Sequence, residues 1–414
     1  MTNSVASVAL NQHIPQAQGE FAARGGQAVR LSCARLTLTD FRCYDHVRLE
    51  PGAGPVVLTG SNGAGKTNLL EALSFLVPGT GLRRARLPDV GRRNDGASFG
   101  RPWAVAATIV GDTCSVDLGT GLDPARSNGT SPAKRLVHVD GEAKRALAVL
   151  GEHFSTHWLT PQMDRLFLDG SQERRRFLDR LVFGFDPAHA GRTKAYTHAL
   201  RERSKLLADH KMDDAWLSAL EDTMATRGAA VAAARLGVAE RLVAAAVKTD
   251  ALFPASALAI DGLAEQWLSE GPALGVEDRL RAALKASRKG DAQTGGTGSA
   301  IKGRFPHQSD LLVTHAAKNM PAGQCSTGEQ KMLLVGLVLA AARISVQDEG
   351  RVPVLLLDEV AAHLDSEHRD ALFSEVLALG CQAWFTGTDA NLFLPLAGHA
   401  KFYTVNAARV CATD

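Results

Sequence analysis

Residues 60–67 read Gly60-Ser61-Asn62-Gly63-Ala64-Gly65-Lys66-Thr67, a glycine-rich loop that ends in Lys-Thr. Glycines at this spacing let successive backbone N–H groups turn towards a phosphate. The Lys66 ammonium then reaches the β- and γ-phosphates, and the Thr67 hydroxyl ligates Mg²⁺. Such a loop works only between a strand and a helix. The apolar run Val56-Val57-Leu58-Thr59 predicts a buried strand before it, and Leu69, Leu70 and Leu73 give helical spacing after it. A chance glycine turn does not account for all three in register, so ATP with Mg²⁺ is the expected cofactor.

A second cluster completes the chemistry. Val354-Leu355-Leu356-Leu357 is an apolar run ending in Asp358-Glu359, the pattern of a buried parallel strand whose C-terminal end meets a ligand. Asp358 is expected to hold Mg²⁺ through water, and Glu359 to orient or deprotonate the attacking water. Ser326-Thr327-Gly328-Glu329-Gln330-Lys331 precedes the apolar stretch 332–344. Ser326 and Gly328 would offer hydroxyl and backbone donors to an anion at a helix N-terminus. Taken alone, the same residues read better as an N-cap with a capping-box-like acid, and only their place in the order of motifs favours the anion site.

The elements that must position these groups show in the pattern of the chain. Residues 1–28 are rich in Ala, Gln and Gly without periodicity and are expected to fray. Strand-like alternation follows over 29–38, 104–110 and 115–118, and Asp140-Gly141 after Val137 to Val139 suggests a hairpin. Residues 123–134 read as an exposed loop. From Glu173 the chain turns helical, with an alanine-rich run at 223–247. A low-complexity break at 286–300 is expected to be flexible. The fold class is therefore α/β, a P-loop head split by a helical insertion. The expected division is an extension at 1–28, head at 29–170, helical arm with linker at 171–300, and head again at 301–414.

Composition narrows the class. A net charge of +2 attracts no nucleic acid in general, so any DNA-binding surface has to be local. The six cysteines form no Cys-x-x-Cys pair and the thirteen histidines no metal-spaced cluster, which suits a reducing, cytoplasmic setting. No apolar run reaches the length of a membrane span.

The order of glycine loop, Ser326 motif, Asp358-Glu359 and Ala362-His363-Leu364-Asp365 matches ATP-binding-cassette heads. The long stretch between Lys66 and Ser326 is similar to the insertion of SMC-like heads and unlike transporter cassettes. Within that superfamily the chain resembles the RecF family of bacterial recombination mediators over nearly its whole length. The resemblance rests on Phe41-Arg42-Cys43-Tyr44, the glycine loop extended to Ala72, Arg174-Arg175-Arg176-Phe177-Leu178-Asp179, and Ser326 to Lys331. It implies a weak, switch-like ATPase and a homodimer in which one subunit's signature closes on the other's nucleotide. Further implications are contacts to DNA at single-strand gaps and RecR- and RecO-like mediators as partners. It makes Gln162 a candidate for Mg²⁺ and the attacking water, and brings Arg42 and Arg83 near phosphates. The triple arginine could meet DNA, although three consecutive helical residues cannot share one face.

Two departures stand out. The family's Gly-Pro-His-Arg stretch appears here as Phe305-Pro306-His307-Gln308, without its Gly and Arg. The histidine usual after the next strand is missing, since Gln382-Ala383-Trp384-Phe385 runs into Thr386-Gly387-Thr388-Asp389. The competing reading is an SMC-like ATPase that gates an effector such as a nuclease, without DNA affinity of its own.

Overall fold

The computed structural model describes residues 29–93, 100–112, 114–124, 133–209, 213–247, 252–293, 303–348 and 350–413. The extension at 1–28 and most of the expected loop at 123–134 lie outside them. The strand expected before the glycine loop is Val56–Thr59, an internal strand of a six-stranded sheet. Across that sheet the order is Arg409–Thr413, Lys401–Asn406, Val56–Thr59, Ala383–Gly387, Val354–Leu357 and Thr156–Leu159. All neighbours are parallel except the first two. Alternation sorts the side chains into two cores. Val57, Leu355, Leu357 and Phe385 join the core under the helix Thr327–Asp348. Val56, Leu58, Val354, Leu356 and Trp384 join the other, with Leu69, Leu70 and Leu73 of the helix Lys66–Ser74.

The second core is closed by a six-stranded antiparallel sheet. Its order is Tyr44–Leu49, Ser32–Phe41, Ala104–Val110, Ser115–Leu122, Arg135–Val139 and Glu142–Lys144. The expected hairpin is its last pair, turned by Asp140 and Gly141 at φ 49° and 80°, the positive values a two-residue hairpin needs. Gln382 stitches the two sheets together. Its side-chain oxygen accepts from Cys33 N at 2.9 Å, and its amide donates to Cys33 O and Gly52 O.

The arm begins with Ser171–Phe185 and continues through Ala188–Ala208 and the 34-residue helix Asp214–Val247 to Ala273–Gln293. The last of these is helical where a break was expected from 286. Ser287, Arg288 and Asp291 are buried there. Arg203 at 0% side-chain exposure binds Glu221 and Asp291, and Arg288 also binds Glu221. That network, invisible to composition, orders the polar segment as far as Gln293; residues 294–300 lie outside the described range. A strand also appears inside the segment read as helical. Ser256–Asp261 pairs antiparallel with Asp310–His315, tying the arm to the returning head.

Candidate nucleotide site

The glycine loop is shaped by close backbone approach. Gly60 lies at φ 147°, and a Cβ there would stand 2.1 Å from the Val405 carbonyl oxygen. Gly65 lies at φ 117°, where a Cβ would meet the Tyr44 hydroxyl at 2.7 Å. Neither position tolerates a side chain, and the result is a cradle of backbone N–H groups at the start of Lys66–Ser74. Tyr44 donates its hydroxyl to Gly65 O at 3.1 Å, so the Phe41 to Tyr44 turn braces the loop from outside.

Lys66 is 4% exposed, and its ammonium donates to Gly60 O at 2.7 Å and Ser61 O at 3.0 Å. Burial pushes its pKa below the ordinary lysine value, while Glu359 and Asp358 pull it back up. Thr67 donates its hydroxyl to Asp358 Oδ1 at 2.9 Å. The two groups expected to share Mg²⁺ thus meet across almost the whole sequence, because Val56–Thr59 and Val354–Leu357 both flank Ala383–Gly387. A hydroxyl and a carboxylate are the oxygen donors Mg²⁺ takes, with phosphate and water completing its shell. The cradle and the Thr67–Asp358 pair both fit the nucleotide and its cation.

Glu359 sits at φ 53°, in the left-handed region. Among the described residues its carboxylate takes no hydrogen bond, while its backbone N–H donates to Thr386 Oγ1 at 2.9 Å. The same Thr386 hydroxyl donates to Asp358 Oδ1 at 2.7 Å. Sequence reasoning noticed the missing histidine in this stretch but not Thr386. A threonine in an apolar run reads as strand propensity, and only the pairing of the two strands shows where its hydroxyl goes.

The remaining candidates divide. Gln162 lies in the short 3-10 helix Pro161–Arg165, just beyond the strand Thr156–Leu159 that pairs with Val354–Leu357, and Asp358 N donates to Leu159 O at 2.9 Å. It is exposed and lines a cavity of about 130 Å³ with Arg83, Thr160, Met163, Phe177 and Arg180. No hydrogen bond joins it to Thr67 or Asp358 among the described residues. Arg180 lies 4.7 Å from the Trp158 ring and 5.1 Å from Phe177, and burial pushes its pKa down to about 9. Arg42, at φ 54°, forks onto the buried Glu71 carboxylate at 2.8 and 2.5 Å. Arg83 shares that carboxylate and also binds Asn68 Oδ1 at 2.7 Å. Both arginines therefore anchor the helix Lys66–Ser74 from its flank.

The Ser326 motif caps Thr327–Asp348. Ser326 N and Oγ both reach Glu329 Oε2 at 2.9 Å, and Glu329 N returns to Ser326 Oγ at 3.3 Å. Lys318 pairs with the same carboxylate, and together these partners hold Glu329 at a pKa of about 2. Ser326, Thr327 and Gly328 are exposed, so the capping box leaves the outer donors open. The triple arginine is engaged within the chain. Arg174 forks onto Asp310 at 2.8 Å, Arg175 donates to Ser309 O at 2.6 Å, and Arg176 pairs with Glu173. His307 accepts or donates at Nδ1 with the Tyr196 hydroxyl at 2.7 Å.

The chain is similar to known proteins in sequence and in fold. The AAA domain model matches residues 35–99. DNA replication and repair protein RecF of Mesorhizobium japonicum is 46% identical over 386 residues, covering 92% of this chain and 98% of its own. RecF of Caulobacter sp. (strain K31) is 47% identical over 402 residues, covering 93% and 99%. Two solved structures of the recombination mediator protein RecF in the RecFOR pathway have the same fold. The one solved as RecF-ATPrS has a TM-score of 0.79 at 19% identity, covering 94% of this chain and 100% of that one. The one solved as RecF-ATP has a TM-score of 0.77 at 18% identity, covering 95% and 100%. The fold is thus an ABC-type, SMC-like P-loop ATPase head with a helical insertion. Identity near one half along almost the full length, with the glycine loop, Asp358-Glu359 and Ser326 motif all in place, makes this chain a member of the RecF family of DNA replication and repair proteins.

Proposed function

We propose that this chain is an ATP-switched, DNA-binding clamp of recombinational repair. The hydrogen bond from Thr67 to Asp358 at 2.9 Å carries the reading. It joins the glycine loop and the Asp-Glu strand into one oxygen site beside the Lys66 ammonium, the arrangement that ATP·Mg²⁺ requires. In this reading Gly60 to Thr67 cradle the phosphates, and Thr67 and Asp358 hold the cation. Glu359, its carboxylate without a hydrogen bond among the described residues, orients the attacking water. Gln162 approaches the same water or cation once the head closes, and Arg42 steadies the nucleotide side of the loop. ATP-binding structures of RecF relatives support the nucleotide.

Ser326 and Gly328 then complete the partner subunit's site, and ATP drives a homodimer. Their exposure beside a satisfied capping box supports an intermolecular role. The closed dimer holds DNA at single-strand gaps and guides RecR- and RecO-like mediators. Among the described residues no helix is long and apolar enough to cross a membrane.

Sedimentation with and without ATP·Mg²⁺, paired with titrations of gapped, duplex and single-stranded DNA, tests the reading. Dimer only with ATP, and DNA binding that tracks it, is expected. A monomer at saturating ATP removes the clamp, and an ATP-driven dimer indifferent to every DNA substrate favours a gate on a partner effector.

A further inference from the structure

With Arg174, Arg175 and Arg176 all engaged within the chain, a DNA-facing surface has to come from other cations. Several arginines at the arm's surface are neutralised, the exposed Arg227 on Asp214–Val247 being an exception among the described residues. Arg279 binds Glu270, Arg281 binds Asp222 and Asp278, and Arg241 binds Asp348. The helix Ala188–Ala208 is different. Lys194, His198, Arg201 and Lys205 are all exposed there, and none takes part in an ion pair among the described residues. Steps of four, three and four residues place them within one narrow arc at about 100° per residue. That arc lies opposite Arg203, which points inward to Glu221 and Asp291. Glu202 is the one acid on the helix, against five lysines and arginines, in a protein of net charge +2.

We propose that this ridge is where the arm takes the phosphate backbone of duplex DNA, a contact that rests on the clamp reading above. The four side chains run over about 16 Å of helix, a length along which duplex DNA carries on the order of ten phosphates. A protein partner fits the ridge poorly. Protein interfaces are built around apolar and aromatic anchors and are depleted of lysine. The exposed large apolar residues, Leu168, Trp216, Leu252, Leu274, Leu312 and Leu394, all lie off this helix. Solvated cations in a row, with no hydrogen-bonding residue arranged to read bases, suit sequence-independent phosphate contact.

The test compares wild type with a variant combining Lys194→Ala, Arg201→Ala and Lys205→Ala, and with a control combining Lys285→Ala and Lys289→Ala. The control residues are exposed, unpaired cations on Ala273–Gln293. Binding of a gapped duplex is measured by anisotropy with ATP·Mg²⁺ across a salt series, alongside nucleotide affinity and thermal melting. The ridge variant should bind nucleotide and melt as wild type does, lose about tenfold or more in DNA affinity, and show a salt slope shallower by about 2 to 3. The control should stay within about twofold of wild type. A ridge variant that binds DNA like wild type, or a control that loses as much, overturns the ridge while leaving the clamp intact. Polyglutamate serves as an acidic-protein probe, and loss of its binding with DNA binding unchanged assigns the ridge to an acidic protein instead. Wild type that binds no DNA in any nucleotide state fails the clamp reading itself.

Discussion

Thr386 is 1% exposed and contributes through its single hydroxyl. It donates to Asp358 and accepts from the Glu359 N–H, so it sets the carboxylate proposed to hold the cation and the backbone turn that presents the next one. Removing it should change turnover more than binding, because the phosphate cradle is built from other residues. Thr386→Val, which keeps the shape without the hydroxyl, is expected to lower kcat for ATP hydrolysis by roughly tenfold or more while leaving nucleotide affinity within a few-fold. Thr386→Ser should restore most of the rate. Equal rates for the valine and threonine proteins, measured by phosphate release, would remove the role. Glu359 and Lys66 separate the same two functions from the other side. Glu359→Gln should retain ATP and accumulate as a long-lived dimer, since phosphate binding survives while alignment of the water weakens. Lys66→Ala should lose nucleotide affinity outright. Sedimentation and nucleotide titration of the pair distinguish them, and a Glu359→Gln protein that cycles like wild type contradicts the assignment.

At the scale of elements, the helix Thr327–Asp348 has two jobs at its N-terminus. Its capping box orders the first turn, and its exposed donors remain available to another molecule. Ser326→Arg should leave ATP binding unchanged yet abolish ATP-driven dimerisation, because a bulky cation would occupy the face proposed to meet the partner. The cap also has a pH signature. Lys318 and Ser326 hold the Glu329 carboxylate well below the ordinary value of 4.5, at about 2. A depressed folded-state pKa means the stabilisation is complete above the unfolded value and is lost as pH falls through the folded one. The difference in melting temperature between wild type and Glu329→Gln should therefore be larger near neutral pH than in the window between 4.5 and 2. A difference that does not change with pH would mean the ionised carboxylate does not support the cap.

Across the whole molecule, the arm is held together by charge as well as by apolar packing. Arg203 joins Glu221 on Asp214–Val247 to Asp291 on Ala273–Gln293, and both carboxylates are at most 1% exposed. Arg203→Ala would take one cation away from two buried acids, with Arg288 still on Glu221 and the Ser287 hydroxyl still on Asp291, and breaking a buried pair in this way costs about 3–5 kcal/mol. Chemical denaturation should show that loss, and a change below about 1 kcal/mol would place the arm's stability in its apolar contacts instead. DNA affinity should fall steeply with salt and vary little with sequence, as phosphate contacts dictate. Titrations of unrelated sequences over a salt series check this, and strong sequence preference would point to base readout.

The nucleotide chemistry was legible in the sequence because its groups sit in short runs whose local structure is self-contained. Gly60 to Thr67 must be a loop between strand and helix, and Val354 to Leu357 must be a buried strand ending in acids, whatever surrounds them. The resemblance carried by Arg174 to Asp179 and Ser326 to Lys331 led to the family in the same way. What depends on partners distant in the chain was not legible. Thr386 became part of the site only when Ala383–Gly387 took its place between Val56–Thr59 and Val354–Leu357. The triple arginine left a DNA contact open until the structure placed Asp310, Ser309 and Glu173 against its three side chains. The polar segment 286–293 looked like a break until Arg203 and Glu221 made it a buried helix face. Local backbone and burial preferences are written residue by residue, so the sequence by itself determined the loop, the Asp-Glu strand and the signature helix. Which hydroxyl meets which carboxylate, and which cation is left to the solvent, is set by contacts between residues far apart in the chain, and these only the tertiary structure decided.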